Sequence, residues 1–144
     1  MSAPSLGAAP AGEEDMPDIL VEVRGSWLEG QQAGFLDALH AAFVGALKYP
    51  SGDKLLRLIE HAPACFAIPH GMGDKFTRIE IVLFAGRSLD AKRALYQAAT
   101  QALRPFGVPA SDVKIVLIEI PTANVGFRGG EAACDIDLGY ALEV

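Results

Sequence analysis

Two stretches of near-strict alternation, Asp18–Arg24 (DILVEVR) and Arg78–Phe84 (RIEIVLF), recur within one chain, and each runs through a glycine and a serine into a pattern with helical spacing. In the first, Ile19, Val21 and Val23 occupy one side, as a half-buried strand requires. Gly25 ends it, and Ser26 followed by Glu29 has the form of a capping box. Phe35, Leu36, Leu39, Phe43, Ala46 and Leu47 then recur at helical spacing. A helix is expected to about Lys48, held by packing because Gly30, Gly34 and Gly45 weaken it. Pro50-Ser51-Gly52-Asp53 is turn chemistry. Leu55–His61 and Cys65–Ile68 read as extended segments broken at Pro63, and His70–Lys75 as a loop.

The second half repeats the order. Gly86 ends the strand, Ser88 is placed to cap, and Ala91, Leu95, Ala99, Ala102 and Leu103 form an apolar stripe that stops at Pro105. Gly107–Asp112 reads as a turn. Val113–Ile120 is nearly all apolar, as in a strand covered on both sides. Thr122–Gly130 is a glycine-rich loop, and Leu138–Val144 can supply a short last strand. Tandem β-α-β units imply an α+β fold, a four-stranded sheet with two helices on one face. The opposite face is left bare, and its apolar content needs other subunits to cover it.

Composition narrows the function classes. The chain has 144 residues, 51% of them hydrophobic and 21% charged, which fits a globular domain. No apolar run approaches the ~20 residues of a membrane span. A net charge of −6 without a basic stretch argues against nucleic acid as a partner. Residues 1–16 are small, chain-breaking or acidic and read as a flexible extension. Residues 17–144 read as a single domain. No secretion signal is recognisable, and a cytoplasmic location is expected. Cys65 and Cys134 allow one disulfide or, as a reducing compartment favours, two buried thiols. His40, His61 and His70 lack metal-ligand spacing, and no phosphate loop or nucleophile motif occurs, so neither a metal nor a cofactor is expected.

Met16-Pro17 stands immediately before the first strand of the repeat. With A-G-R-S-L-D-A-K-R-A-L-Y from Ala85 to Tyr96 and N-V-G-F-R-G-G-E-A from Asn124 to Ala132, it makes Pro17–Val144 resemble the tautomerase superfamily. These are the amino-terminal proline enzymes typified by 4-oxalocrotonate tautomerase and malonate semialdehyde decarboxylase. Asp53-Lys54 resembles an acidic position of the decarboxylase branch, and Val125 stands where tryptophan is usual. The resemblance implies a homotrimer whose sheets enclose a central barrel, and cofactor-independent keto–enol conversion of small 2-oxo acids or their enols. Pro17 would carry the proton, Arg87 would bind a substrate carboxylate or the developing enolate, Asp53 would orient water or the amine, and Phe127 and Arg128 would contact substrate. Leu89 follows Ser88 where the dehalogenase and decarboxylase branches place a second arginine, which favours simple tautomerisation.

The chemistry asks for a terminal proline because its secondary amine has a lone pair. Burial near arginines disfavours the charged amine and brings it toward neutrality, where it can take up and return a proton. As numbered, Pro17 is internal, and an amide nitrogen is no base. Two accounts stay open. In one, the native start is Met16, whose removal exposes Pro17; purine-rich codons for Glu13-Glu14 would fit a ribosome-binding site. In the other, the extension is genuine and the chain is a proenzyme or a silent, trimeric binding protein. A decarboxylase or hydratase acting on a β-keto or unsaturated acid is the further alternative. On the residues alone, Pro17 is also a good strand start, Arg87 a solvated turn residue, Asp53 a turn former and His40 a structural helix residue.

Overall fold

Strand β1 (Asp18–Arg24) forms where alternation is strictest, and Ile19, Val21 and Val23 are fully buried along one of its faces. The structure, a computed structural model, describes residues 17–127 and 129–137; the expected extension 1–16, Arg128 and the expected last strand over 138–144 lie outside the described residues. After β1 come helix α1 (Gln32–Leu47), β2 (Leu56–His61), β3 (Thr77–Phe84), α2 (Leu89–Leu103) and β4 (Val113–Ile120). The sheet order is β2-β1-β3-β4. β1 runs parallel to β2 and β3 parallel to β4, while β1 and β3 join the two units antiparallel, with Asp18 opposite Val82 and Val23 opposite Thr77. This is the tandem β-α-β sheet anticipated from the alternation.

Both helices lie on one face. Phe35, Leu39, Phe43 and Leu47 of α1 and Leu95, Ala99 and Leu103 of α2 join Ile19, Val21, Val23, Ile79, Ile81 and Leu83 in one buried cluster. Trp27, Phe35 and Phe106 close one end of that core by edge-to-face contacts, with ring centroids 5.8 and 5.2 Å apart.

Several local expectations fail for identifiable reasons. The Ser26–Glu29 capping box does not start α1. Glu29 N donates to Ser26 O in a turn, and Glu29 and Gly30 take φ of 47° and 85°, so the helix begins only at Gln32. That turn places Leu28 in the core, a burial that outweighs a local cap. Cys65–Ile68 is not a strand: Pro63–Cys65 form a 3-10 turn, and the residues after it pair with no strand. Both cysteines are free, but exposed rather than buried. The 122–130 loop carries a small hairpin, β5 (Gly126–Phe127) with β6 (Glu131–Ala132). β4 is an edge strand, and within the single chain its Ile118, on the face away from the helices, is 40% exposed.

The face opposite the helices is mixed rather than simply apolar. Leu20, Val82 and Ile118 lie toward one end. Toward the other, Glu22 meets both His61 Nε2 at 3.0 Å and Arg78 Nη1 at 3.4 Å, and Arg78 also meets Glu80 at 3.1 Å. Among the described residues no helix is long and apolar enough to cross a membrane.

Phe35 touches both neighbouring rings and is fully buried. Phe35→Ala is expected to lower unfolding free energy by about 3–5 kcal/mol. Leu89→Ala, at a side chain 58% exposed, should stay within about 0.5 kcal/mol. Urea midpoints at fixed protein concentration check both.

Candidate active site

The mixed sheet order brings two strand entries beside two strand exits. β1 and β2 are parallel and enter the sheet at the same end; β3, antiparallel to β1, leaves there, and so does β4. Everything just before β1 and β2 and just after β3 and β4 therefore gathers at that end. Those segments contain Pro17, the Pro50–Asp53 turn, Arg87 and the hairpin that carries Phe127.

Pro17 is buried and directly precedes β1. Ile19 N donates to Leu55 O at 3.1 Å, which ties the entry of β1 to the segment following Asp53. Asp53 is 3% exposed. Its turn is closed by Asp53 N donating to Pro50 O at 3.0 Å and Lys54 N to Gly52 O at 2.8 Å. The turn also fastens to α1, where His40 Nε2 meets Ser51 O at 2.8 Å and Asp37 pairs with Lys54.

Arg87 lies beyond the exit of β3 and is only 6% exposed. Its Nη1 donates to Phe84 O at 3.2 Å, folding the side chain back over the strand it follows. Ser88, the next residue, is the N-cap of α2: its Oγ accepts from Ala91 N at 3.1 Å, and Asp90 sits in the first turn. The glycine–serine punctuation thus has the role expected in the second unit and not in the first. Buried carboxylate and guanidinium groups are expensive to desolvate, and Asp53 and Arg87 are kept at the same end of the sheet.

Phe127 is half-buried. With Val82, Ile120 and Val125 it packs against the buried pair Phe84 and Ala133, an apolar wall beside the exits of β3 and β4. Val125 thus belongs to the wall as a smaller side chain than an aromatic. The structure accordingly brings Pro17, Asp53, Arg87 and Phe127 to one end, and the expected substrate contact Arg128 falls outside the described residues. Among the described residues no group of three or more His, Cys, Asp or Glu side chains is arranged to hold a metal ion. Sequence reasoning gave no role to the Glu22–His61–Arg78 network on the open face; the only signal was charge at outward positions of β1, β2 and β3. It also missed the bond from His40 to the Asp53 turn, because no local pattern links a helix position to a carbonyl eleven residues on.

Residues 53–128, more than half of the chain, match the Tautomerase_2 family model, described as tautomerase enzyme. A probable tautomerase of Ralstonia nicotianae is 36% identical over 52 residues, 35% of this chain and 74% of that protein. Among solved structures, a malonate semialdehyde decarboxylase inhibited by 3-bromopropiolate superposes with a TM-score of 0.72 at 28% identity, over 80% of this chain and 92% of that one. A wild-type fused 4-OT, a symmetric trimer, does so with a TM-score of 0.73 at 28% identity, over 82% of this chain and 97% of that one.

The cap beside Arg87 gives a stability test. Ser88→Ala is expected to cost about 1 kcal/mol, and Ser88→Asp, an equally good cap, close to nothing. Equal urea midpoints for the two variants would contradict the capping role.

Proposed function

The chain belongs to the tautomerase family, and from that we propose that it is a cofactor-independent keto–enol isomerase of small 2-oxo acids or their enols. The observation that carries the reading is the gathering of Pro17, Asp53 and Arg87 at one end of the sheet with both charged groups buried. The reaction is a proton relocation. The Pro17 amine, once amino-terminal, takes the enol hydroxyl proton; charge passes through the enolate to the carbon, and the ammonium returns a proton there. Neither electrons nor atoms are gained or lost, so no cofactor is required.

Arg87 supplies the positive charge for the substrate carboxylate and the developing enolate, and the N-terminus of α2 directly after it adds partial positive charge of the same sign. Asp53 orients the amine or a water. Phe127 and Arg128 contact the rest of the substrate. A homotrimer is part of the proposal: Ile59 and Ile118 are about 40% exposed on the two edge strands, and the fused 4-OT relative is a trimer. Two exposed free thiols suit a reducing, cytoplasmic setting. The likeness to a malonate semialdehyde decarboxylase supports a second reading, a lyase acting on a β-keto acid with the same proline.

Phenylenolpyruvate ketonisation, followed by ultraviolet absorbance, is the test. A chain beginning at Pro17 should turn it over. A chain verified by mass to begin at Met1 should be slower by about 10²–10⁴-fold, the usual worth of a general base, as should Pro17→Ala in the shorter chain. Equal rates for the two starts would refute the proline-amine mechanism. Release of carbon dioxide from a β-keto acid would promote the lyase reading, and inactivity of the shorter chain toward both substrates would leave a binding protein. Light scattering should give three times the chain mass; a monomer across a range of concentrations would rule out the trimer.

A further inference from the structure

His40 is buried, 8% exposed on α1, and the chemistry proposed above leaves it without a role. Its Nε2 lies 2.8 Å from the Ser51 carbonyl oxygen. A carbonyl only accepts, so that nitrogen carries the proton and donates. The ring is further fixed by an edge-on contact with Tyr49, centroids 6.0 Å apart, and Tyr49 is itself 3% exposed. Ser51 lies in the turn that ends on Asp53. A second side-chain tie, from Asp37 of α1 to Lys54 just after this turn, joins side chains 61% and 47% exposed, and ion pairs of that kind hold geometry weakly. Between Lys48, at φ 60°, and the first residue of β2, the His40 bond is donated from a buried ring and is part-buried, the firmer of these two ties.

We propose that His40 is a positioning residue: its Nε2–H, donated to the Ser51 carbonyl, holds the 50–53 turn so that the Asp53 carboxylate is presented at the Pro17 end of the sheet. The inference rests on the isomerase reading for its consequence in catalysis, and on geometry alone for the anchoring. Misplacement of a catalytic group by about 1 Å can cost on the order of 10²-fold in rate, so a bond that fixes the turn bearing the buried Asp53 carboxylate bears directly on turnover.

The test uses His40→Leu, which keeps buried volume without a donor, and His40→Gln, whose amide can replace Nε2. His40→Asn, one carbon too short, serves if the Leu variant does not fold. Amide exchange in the full chain should quicken at least about tenfold at Asp53 in the Leu or Asn variant and stay unchanged at Ile81 and Leu95. In whichever form of the chain ketonises phenylenolpyruvate, kcat should fall about 10–100-fold with KM changing less. In an Asp53→Asn background the same change should cost no more than about twofold further. His40→Gln should restore both exchange and turnover. Unchanged exchange at Asp53, a Gln variant no better than Leu or Asn, or a loosened turn with undiminished kcat would each overturn the proposal. If the unmodified chain turns over nothing from either start, the isomerase reading fails, and the exchange measurement with its Gln rescue still decides whether His40 anchors the turn.

Discussion

The antiparallel pairing of β1 with β3 is the interaction on which the rest of the molecule depends. Each β-α-β unit contains a parallel pair that a crossover helix can build alone; the β1–β3 ladder joins the two units and chooses their relative direction. Had that junction been parallel, the exit of β3 would lie at the far end of the sheet. Seven residues at about 3.3 Å each would then separate Arg87 from Pro17 by roughly 20 Å. With the antiparallel junction, Asp18 faces Val82, and the segments bearing Pro17, Asp53, Arg87 and Phe127 meet. The same register stacks Ile19, Val21 and Val23 beside Ile79 and Ile81 under both helices, so core formation and site formation follow from one set of hydrogen bonds.

Charge is distributed over this frame in three settings with different energetic meaning. Exposed pairs such as Asp90 with Arg93 add little to stability. The half-buried network of Glu22, His61, Arg78 and Glu80 covers the charged part of the open face, where each partner compensates another's desolvation. Asp53 and Arg87, both buried, stand where strands enter and leave rather than within the sheet. A charge held out of water at a sheet end acts on an incoming anion with far less screening than one on the surface.

What was legible in the sequence was whatever depends on periodicity over a whole element. The alternation of β1 and β3 and the stripe of α2 each sum several buried side chains, and the strands and helix appear with nearly the bounds read from them. Signals resting on two residues were less dependable. Ser88 caps its helix as anticipated, whereas the equally good pattern at Ser26 and Glu29 yields to the burial of Leu28. The Leu-, Val- and Ile-rich β4 reads as doubly covered, and within one chain Val113, Ile115 and Leu117 pack on the core while Ile118 is exposed, because composition reports that a face is apolar and not which molecule covers it. At the site, Pro17, Asp53 and Arg87 were marked by the resemblance to the tautomerase superfamily, their residue types alone fitting a strand start and turns equally well. Their convergence and the His40 bond depend on strand order and on a contact across the fold, neither of which any local window contains.

Pro17 joins fold and chemistry in a way no other residue type could. A residue at the mouth of a strand ordinarily offers an N–H to the ladder, and turning that amide into a free amine would alter the sheet's hydrogen bonding. Proline has no amide hydrogen, so the pairing beside it, which includes Ile19 N on Leu55 O, is already written without that bond. The nitrogen of Pro17 can therefore be an amide in a longer chain or an amine in a shorter one with the same strand behind it. The strand pairing does not require an N–H from residue 17 in either state, while the proposed proton transfer depends on the free amine entirely. In the proposed mechanism, a fold that keeps its proline before the first strand and its charges at the same end makes the state of one nitrogen the difference between catalysis and silence.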